Sequence, residues 1–262
     1  HYPGRTDPAN AQMLHQVQVD ILRTTPAKLF AQPLVKLLFE RLLYVYHVRH
    51  PATGYVQGMN DLAVPFFAVF LTPYIGTDLE NCDVSSVATE VLAEIEADSY
   101  WCFTTLVDAI QDYFTPDRSG LQKQVQALQD LMSRIDAPLN EHFEALNISY
   151  LQFAFRWMNC LLMRELPLDA ITRLWDTYLS EVNGFGALHL YTTAAFLSTF
   201  SEQIRECPEM GDVMMFILNP PTDTWGSKEV ALLLADGYRL KYMFQGAQHH
   251  LSTVLRAPGH PV

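Results

Sequence analysis

The sequence predicts an all-α fold: a single large helical domain of about ten or more helices. Three observations carry this. Apolar residues recur at helical spacing in run after run, and alternating strand patterns are hard to find. No Asn-Gly or Asp-Gly pair sits where a hairpin would need one: Asn183-Gly184 precedes a helical run, and Asp236-Gly237 lies inside one.

Taken in order, Val17, Asp20 and Ile21 fall within one helical turn, which a Thr-Thr-Pro stop closes at residues 24–26. Leu34, Leu37, Leu38, Leu42 and Val45 mark the face of the next long helix, with Pro33 suited to its first turn. Gly54 can turn the chain sharply, and residues 56–71 then read as a helix that Pro65 is expected to kink. Leu121, Val125, Leu128, Met132 and Ile135 mark another helix, with Ser119 expected as its N-cap. The pattern returns through Leu168, Ile171, Leu174, Trp175 and Tyr178, and again over residues 227–242, led by Ser227 with Glu229 in the first turn. Phe153, Phe155, Trp157 and Trp175 sit at core-like spacing and read as packing. The expected organisation is a leader at 1–10, the domain at 11–245 and a tail at 246–262. Two sub-lobes within the domain would meet near 115–140.

The chain has 262 residues, 49% of them hydrophobic and 18% charged, which is the composition of a globular chain long enough to bury a core. Its formal net charge of −12 argues against nucleic acid as the main partner, because phosphate binding needs clustered Lys and Arg. The charge is uneven. Residues 1–60 carry Arg5, Arg23, Lys28, Lys36, Arg41 and Arg49 against Asp7, Asp20 and Glu40, while residues 71–100 hold seven acidic residues and no basic one. An anion would therefore be met by the N-terminal quarter, if by any part. Cys82, Cys102, Cys160 and Cys207 are far apart with no CxxC, as expected of a reducing, cytoplasmic compartment. The longest apolar run, Leu62–Leu71, is half the roughly 20 residues that a membrane span needs.

Two stretches concentrate polar groups beside apolar runs. In "YVQGMNDL", Tyr55, Gln57, Gly58, Asn60 and Asp61 crowd the start of a helix. Free backbone N–H groups there can face an anion, and Gly58 lets a backbone or a phosphate come close. Asn60 and Asp61 can bond to neighbouring loops or cap amides; a helix start stitched into the core is the plainer reading. In "VQVDILRTTP", Asp20 and Arg23 are spaced i, i+3. They form either a modest surface ion pair or a carboxylate that fixes a guanidinium with its free edge outward. Other clusters read as structure. His47 and His50 lack a third metal ligand, His249-His250 belong to the tail, and Glu94, Glu96 and Asp98 make a solvated helix face. Arg173 and Asp176 either support the active face or form a buried structural pair, the second being favoured. No nucleophile–His–acid arrangement and no Gly-rich phosphate loop is present.

Together, "VQVDILRT" and "YVQGMNDL" resemble the I-x-x-D-x-x-R and Y-x-Q-G signatures of the TBC domain, with Val17 in place of the usual Ile. "FRWMNCLLMRELPLDAITRLWDTYL" at 155–179 resembles that family's third conserved block, and the likeness runs from about residue 11 to 242. "RHPATGYVQGMNDL" and "NPPTDTWGSKEV" look most like the member-22 subgroup of TBC proteins. The Arg/Trp-containing helical segment that usually precedes the first signature has no counterpart in residues 1–10. TBC domains are all-helical GTPase-activating proteins for Rab-type small GTPases. The resemblance therefore implies that Arg23 and Gln57 are the arginine and glutamine fingers, supplied in trans, with Asp20, Tyr55, Gly58, Asn60 and Asp61 in support. It also implies a GTP-bound Rab partner and no cofactor in this chain, since GTP and Mg²⁺ would be carried by the partner. It places the protein at the periphery of endomembranes, with the Golgi suggested by resemblance alone. The rival readings are a Rab-binding helical scaffold of the same fold that does not accelerate hydrolysis, and a purely structural scaffold. Intact Arg23 and Gln57 count against the first, and nucleotide-dependent GTPase binding would exclude the second.

Overall fold

Prolines and glycines set many of the helix boundaries where the apolar periods begin and end. The structure, a computed structural model, describes residues 8–245, so the expected tail with His249-His250 and residues 1–7 of the expected leader lie outside the described residues. Pro8 opens α1 (Pro8–Ile21), so helix extends into the last three residues of the expected leader. A short α2 (Ala27–Ala31) leads to α3 (Pro33–Arg49), which has proline in its first turn as the sequence predicts. Then follow α4 (Met59–Ile75), bounded by Gly58 and Gly76, and α5 (Thr89–Ala109). The second half comprises α6 (Ser119–Ile135), α7 (Ala137–Ala145), α8 (Ala154–Asn159), α9 (Leu168–Ser180), α10 (His189–Thr199), α11 (Ser201–Glu206), α12 (Met210–Leu218) and α13 (Ser227–Phe244). No strand occurs among the described residues.

Two local expectations are corrected. The N-cap of α6 is Arg118, in the left-handed region at φ 52°, and Ser119 is the first helical residue. Its N–H bonds the Asp117 carboxylate at 3.2 Å, so an acid two residues upstream satisfies this first amide of the helix. Pro65 and Pro73 both lie inside α4, which continues as one helix past them. Leu37, expected on the core face of α3, is 47% exposed, because that face follows Val35, Leu38, Phe39, Leu42 and Leu43.

The helices form two groups. In the first, α1 packs on α3, and α3 and α4 pack on α5; in the second, α10 packs on α13, α6 and α8. The groups meet where α4 touches α9 and where the 3-10 turn Gln111–Phe114 lies on α6. Their buried side chains make one continuous hydrophobic cluster. A train of rings crosses the second group: Phe143, Phe153, Trp157, Phe196 and Phe200 pack edge to face at 5.2–5.7 Å. Phe153, Trp157 and Trp175 are core residues and Phe155 packs against that core, as the sequence indicates. The helix α4 is buried almost all round from Met59 to Ala68, which makes it the central rod of its group and fixes where its N-terminus emerges.

Fully buried His189 joins three helices. Its Nε2 faces the Trp157 carbonyl at 3.2 Å, which can only accept, so Nε2 carries the hydrogen and Nδ1 accepts from the Tyr178 hydroxyl at 3.2 Å. Burial pushes its pKa down to about 4, against a weaker opposing effect of the Trp157 bond. The folded ring therefore stays neutral while the unfolded one gains a proton below about pH 6.5. Stability is fully present above that pH and declines as pH falls towards 4. Between pH 7 and 5 the loss should reach roughly 2 kcal/mol, at about 1.4 kcal/mol per unit. Urea unfolding across that range should show it, with a shallower slope for His189→Gln; equal slopes would refute the assignment.

Candidate functional site

The N-terminus of α4 collects polar groups from four chain segments, and one buried side chain ties them together. Asn60, 1% exposed, uses its whole carboxamide. Its Oδ1 accepts from the Gly58 N–H at 3.2 Å, and its Nδ2 donates to Thr24 Oγ1 at 2.9 Å and Asp61 Oδ1 at 3.3 Å. Thr24 in turn donates to the Asp20 carbonyl at 3.1 Å. The Tyr55 hydroxyl lies 2.9 Å from Asp20 Oδ2 and 3.3 Å from Asn60 Oδ1; the shorter contact to the acid takes the proton. Burial and the adjacent Asp20 carboxylate drive the Tyr55 pKa far up, so it remains a phenol and a donor.

This network places the two sequence-predicted fingers. Arg23 follows the end of α1 and is one residue from Thr24; Gln57 is one residue from Gly58. Both Thr24 and Gly58 are bonded to Asn60, so the arginine and the glutamine leave the surface on either side of one asparagine. Both side chains are exposed, and neither makes a hydrogen bond or ion pair among the described residues. Backbone geometry at the glutamine loop requires glycine. Gly58 has φ 102°, and a Cβ there would lie 2.1 Å from Asn159 Nδ2. The space beside Gly58, expected from the sequence to admit a backbone or a phosphate, is thus filled by a side chain of α8.

The predicted Asp20–Arg23 ion pair is absent. Asp20 is 2% exposed and accepts from Tyr55 and from Gln16 Nε2 at 3.1 Å, while Arg23 touches it only through the backbone, N–H to carbonyl, at 3.0 Å. A buried hydroxyl competes successfully with an exposed guanidinium, which water solvates at no structural cost. Within this cluster it is Asp61 that holds a guanidinium: Arg164 Nε donates to its Oδ2 at 2.8 Å. Burial pushes the Asp61 carboxyl up and Arg164 opposes this. The Cys160 thiol, its own pKa raised well above normal by burial and then by Asp61, donates to the same oxygen at 3.5 Å.

The sequence reading missed Gln16, Thr24, Arg118, Asn159, Cys160 and Arg164. Only Gln16, spaced i, i+4 from Asp20, carried a local signal. Arg173 and Asp176 are not paired: Arg173 donates to Thr177 Oγ1 at 2.7 Å and Asp176 is exposed. His47 serves the turn, accepting the Tyr55 N–H at 3.2 Å, and His50 stacks on Tyr46. Glu94 and Asp98 are exposed, whereas Glu96 pairs with Arg41. The four cysteines are free, and no group of three His, Cys, Asp or Glu able to hold a metal occurs among the described residues.

An all-helical domain that braces an exposed arginine and an exposed glutamine over a buried polar cluster has the class features of a TBC domain. The chain belongs to the Rab-GTPase-TBC domain family, whose sequence profile matches residues 3–205. It is 50% identical over 251 residues to TBC1 domain family member 22B of Homo sapiens, covering 95% of this chain and 50% of that protein. It is 43% identical over 247 residues to the GTPase-activating protein gyp1 of Schizosaccharomyces pombe, covering 93% and 48% respectively. The crystal structure of the Ypt/Rab-GAP domain of Gyp1p superposes with a TM-score of 0.86 at 38% identity, over 92% of this chain and 77% of that one. The chain spans about half the length of the curated relatives it matches.

Gly58→Ala should destabilise the domain by about 2 kcal/mol or more, since it combines positive-φ strain with a clash against Asn159. Thermal unfolding should fall by roughly 4 °C or more. A melting temperature equal to wild type would show that the loop does not hold this conformation.

Proposed function

We propose that this domain accelerates GTP hydrolysis by a Rab-type GTPase, with Arg23 and Gln57 entering the partner's nucleotide site. One observation carries the reading. Two exposed side chains suited to phosphoryl-transfer chemistry, without partners among the described residues, leave loops that are bonded to a single buried asparagine.

Phosphoryl transfer needs charge stabilised on the equatorial oxygens and a nucleophilic water held in line. The Arg23 guanidinium offers five fixed donors to those oxygens and, being free of Asp20, keeps its whole donor set for the partner. Gln57 would accept from the attacking water through its amide oxygen and donate through its NH₂. The backbone of residues 55–58 would hold aside a glutamine belonging to the GTPase. Asp20, Tyr55, Gly58, Asn60 and Asp61 act from behind, by keeping both loops in place. GTP and Mg²⁺ arrive with the partner in its GTP-bound form. No helix among the described residues is long and apolar enough to cross a membrane; the Rab would bring the domain close to one. In Ras, a different system, an arginine supplied in trans changes the rate by about 10³–10⁵, or roughly 4–7 kcal/mol of barrier.

Single-turnover hydrolysis by a panel of GTP-loaded Rabs tests the proposal. Arg23→Ala and Arg23→Lys should each lose at least about a hundredfold of the stimulation while melting like wild type, because lysine lacks the planar fork. Gln57→Ala should cost a comparable amount in maximal rate. Stimulation by the Arg23 variants within about threefold of wild type would reject the finger assignment. A loss of affinity alone in Gln57→Ala would reduce Gln57 to a contact residue.

A further inference from the structure

We propose that Arg118, acting through the Asn159 side chain, is a positioning residue for the Gln57 loop; its catalytic consequence rests on the function proposed above. Arg118 lies far from both finger loops in sequence and belongs to neither signature. Its guanidinium is half-buried, within 5.7 Å of the Phe114 ring centre and 5.9 Å of that of Phe155. It makes no ion pair with a carboxylate among the described residues. Charge neutralisation is therefore not its role. Instead, Nη1 donates to Asn159 Oδ1 at 2.9 Å and to the Tyr113 carbonyl at 3.3 Å.

The bond to Asn159 determines which way its carboxamide points. A guanidinium can only donate, so it selects the oxygen end of Asn159, and the NH₂ end must face the other way. That end lies 3.5 Å from the Gln57 carbonyl and packs directly against Gly58, where a Cβ would come within 2.1 Å of it. The 3.5 Å contact alone is too weak to orient the amide, so its orientation is set by the 2.9 Å bond from Arg118. Without the arginine, the carboxamide could flip and set its oxygen against the Gln57 carbonyl, and the two would repel. The Gln57–Gly58 peptide is thus held from two sides: Asn60 accepts the Gly58 N–H, and Asn159 faces the preceding carbonyl. Arg118 adopts a left-handed conformation, uncommon for a residue with a Cβ, at the N-cap of α6, where its side chain reaches this point.

Arg118→Met tests this, because methionine can keep the packing against Phe114 and Phe155 while removing every donor. Backbone amide exchange is measured over residues 55–58 and over α4, together with single-turnover hydrolysis by a Rab that the wild-type domain stimulates. The expected result is at least about tenfold faster exchange at 55–58, unchanged protection in α4 beyond Asp61, and at least about tenfold lower maximal rate with little change in the half-saturating concentration. Arg118→Lys, which can still donate to Asn159, should recover much of both. In a Gln57→Ala background, Arg118→Met should lower the rate no further. Wild-type exchange at 55–58 in Arg118→Met would overturn the proposal whatever the hydrolysis data show. Faster exchange with an unchanged rate on a stimulated Rab would overturn the catalytic part. If the wild-type domain stimulates no Rab, the proposed function fails and the catalytic part with it, while the exchange data still decide whether Arg118 positions the loop.

Discussion

The site depends on the complete satisfaction of the Asn60 carboxamide. A buried amide costs free energy unless each polar atom finds a partner, and here each one does. The partners come from different stretches of chain, so one side chain fixes the end of α1, the loop before α4 and the first turn of α4 relative to each other. Losing any one partner strands another polar atom away from water, which makes the cluster cooperative. Tyr55 extends it to Asp20, and Asp20 to Gln16, so the brace continues into the body of α1.

Around that brace the fold separates rigidity from reactivity. The helix α4 is buried almost completely over its first ten residues, and its N-terminus stays where the core puts it. The exposed arginine and glutamine are carried at the edges of this rigid unit. A second guanidinium, Arg164, is held by buried Asp61 on the same cluster. The chain as a whole carries a net charge of −12, and within this cluster the exposed Arg23 is the guanidinium left without a carboxylate partner among the described residues.

Much of this is legible in the sequence. The helices at 121–135, 168–180 and 227–242 show because their apolar residues keep the 3.6 period, and the glutamine loop shows because Gly54 and Gly58 interrupt it. The two candidate residues, Arg23 and Gln57, stand out through paired signatures whose neighbouring residues, Thr24 and Gly58, the structure joins at Asn60. What the sequence does not show is who holds whom. Spacing permits Asp20 to meet Arg23, but it cannot reveal that a tyrosine 35 residues away supplies a better partner for a buried acid. Asn159 is 102 residues from the carbonyl it supports and 41 from the arginine that orients it, and such separations leave no periodic trace. The cap of α6 is missed for a local reason: Arg118 takes the left-handed conformation, so the helix already includes Ser119, whose amide bonds Asp117.

If Arg23 and Gln57 act together on the transition state of the partner's reaction, a mimic of that state should reveal it without any turnover. Binding of the domain to a GDP-loaded Rab is compared with and without aluminium fluoride, for wild type, Arg23→Ala and Gln57→Ala. Aluminium fluoride should tighten the wild-type complex by at least about a hundredfold, and each substitution should remove most of this gain. Equal affinity with and without the mimic, or a gain that survives both substitutions, would contradict the paired action of the two fingers.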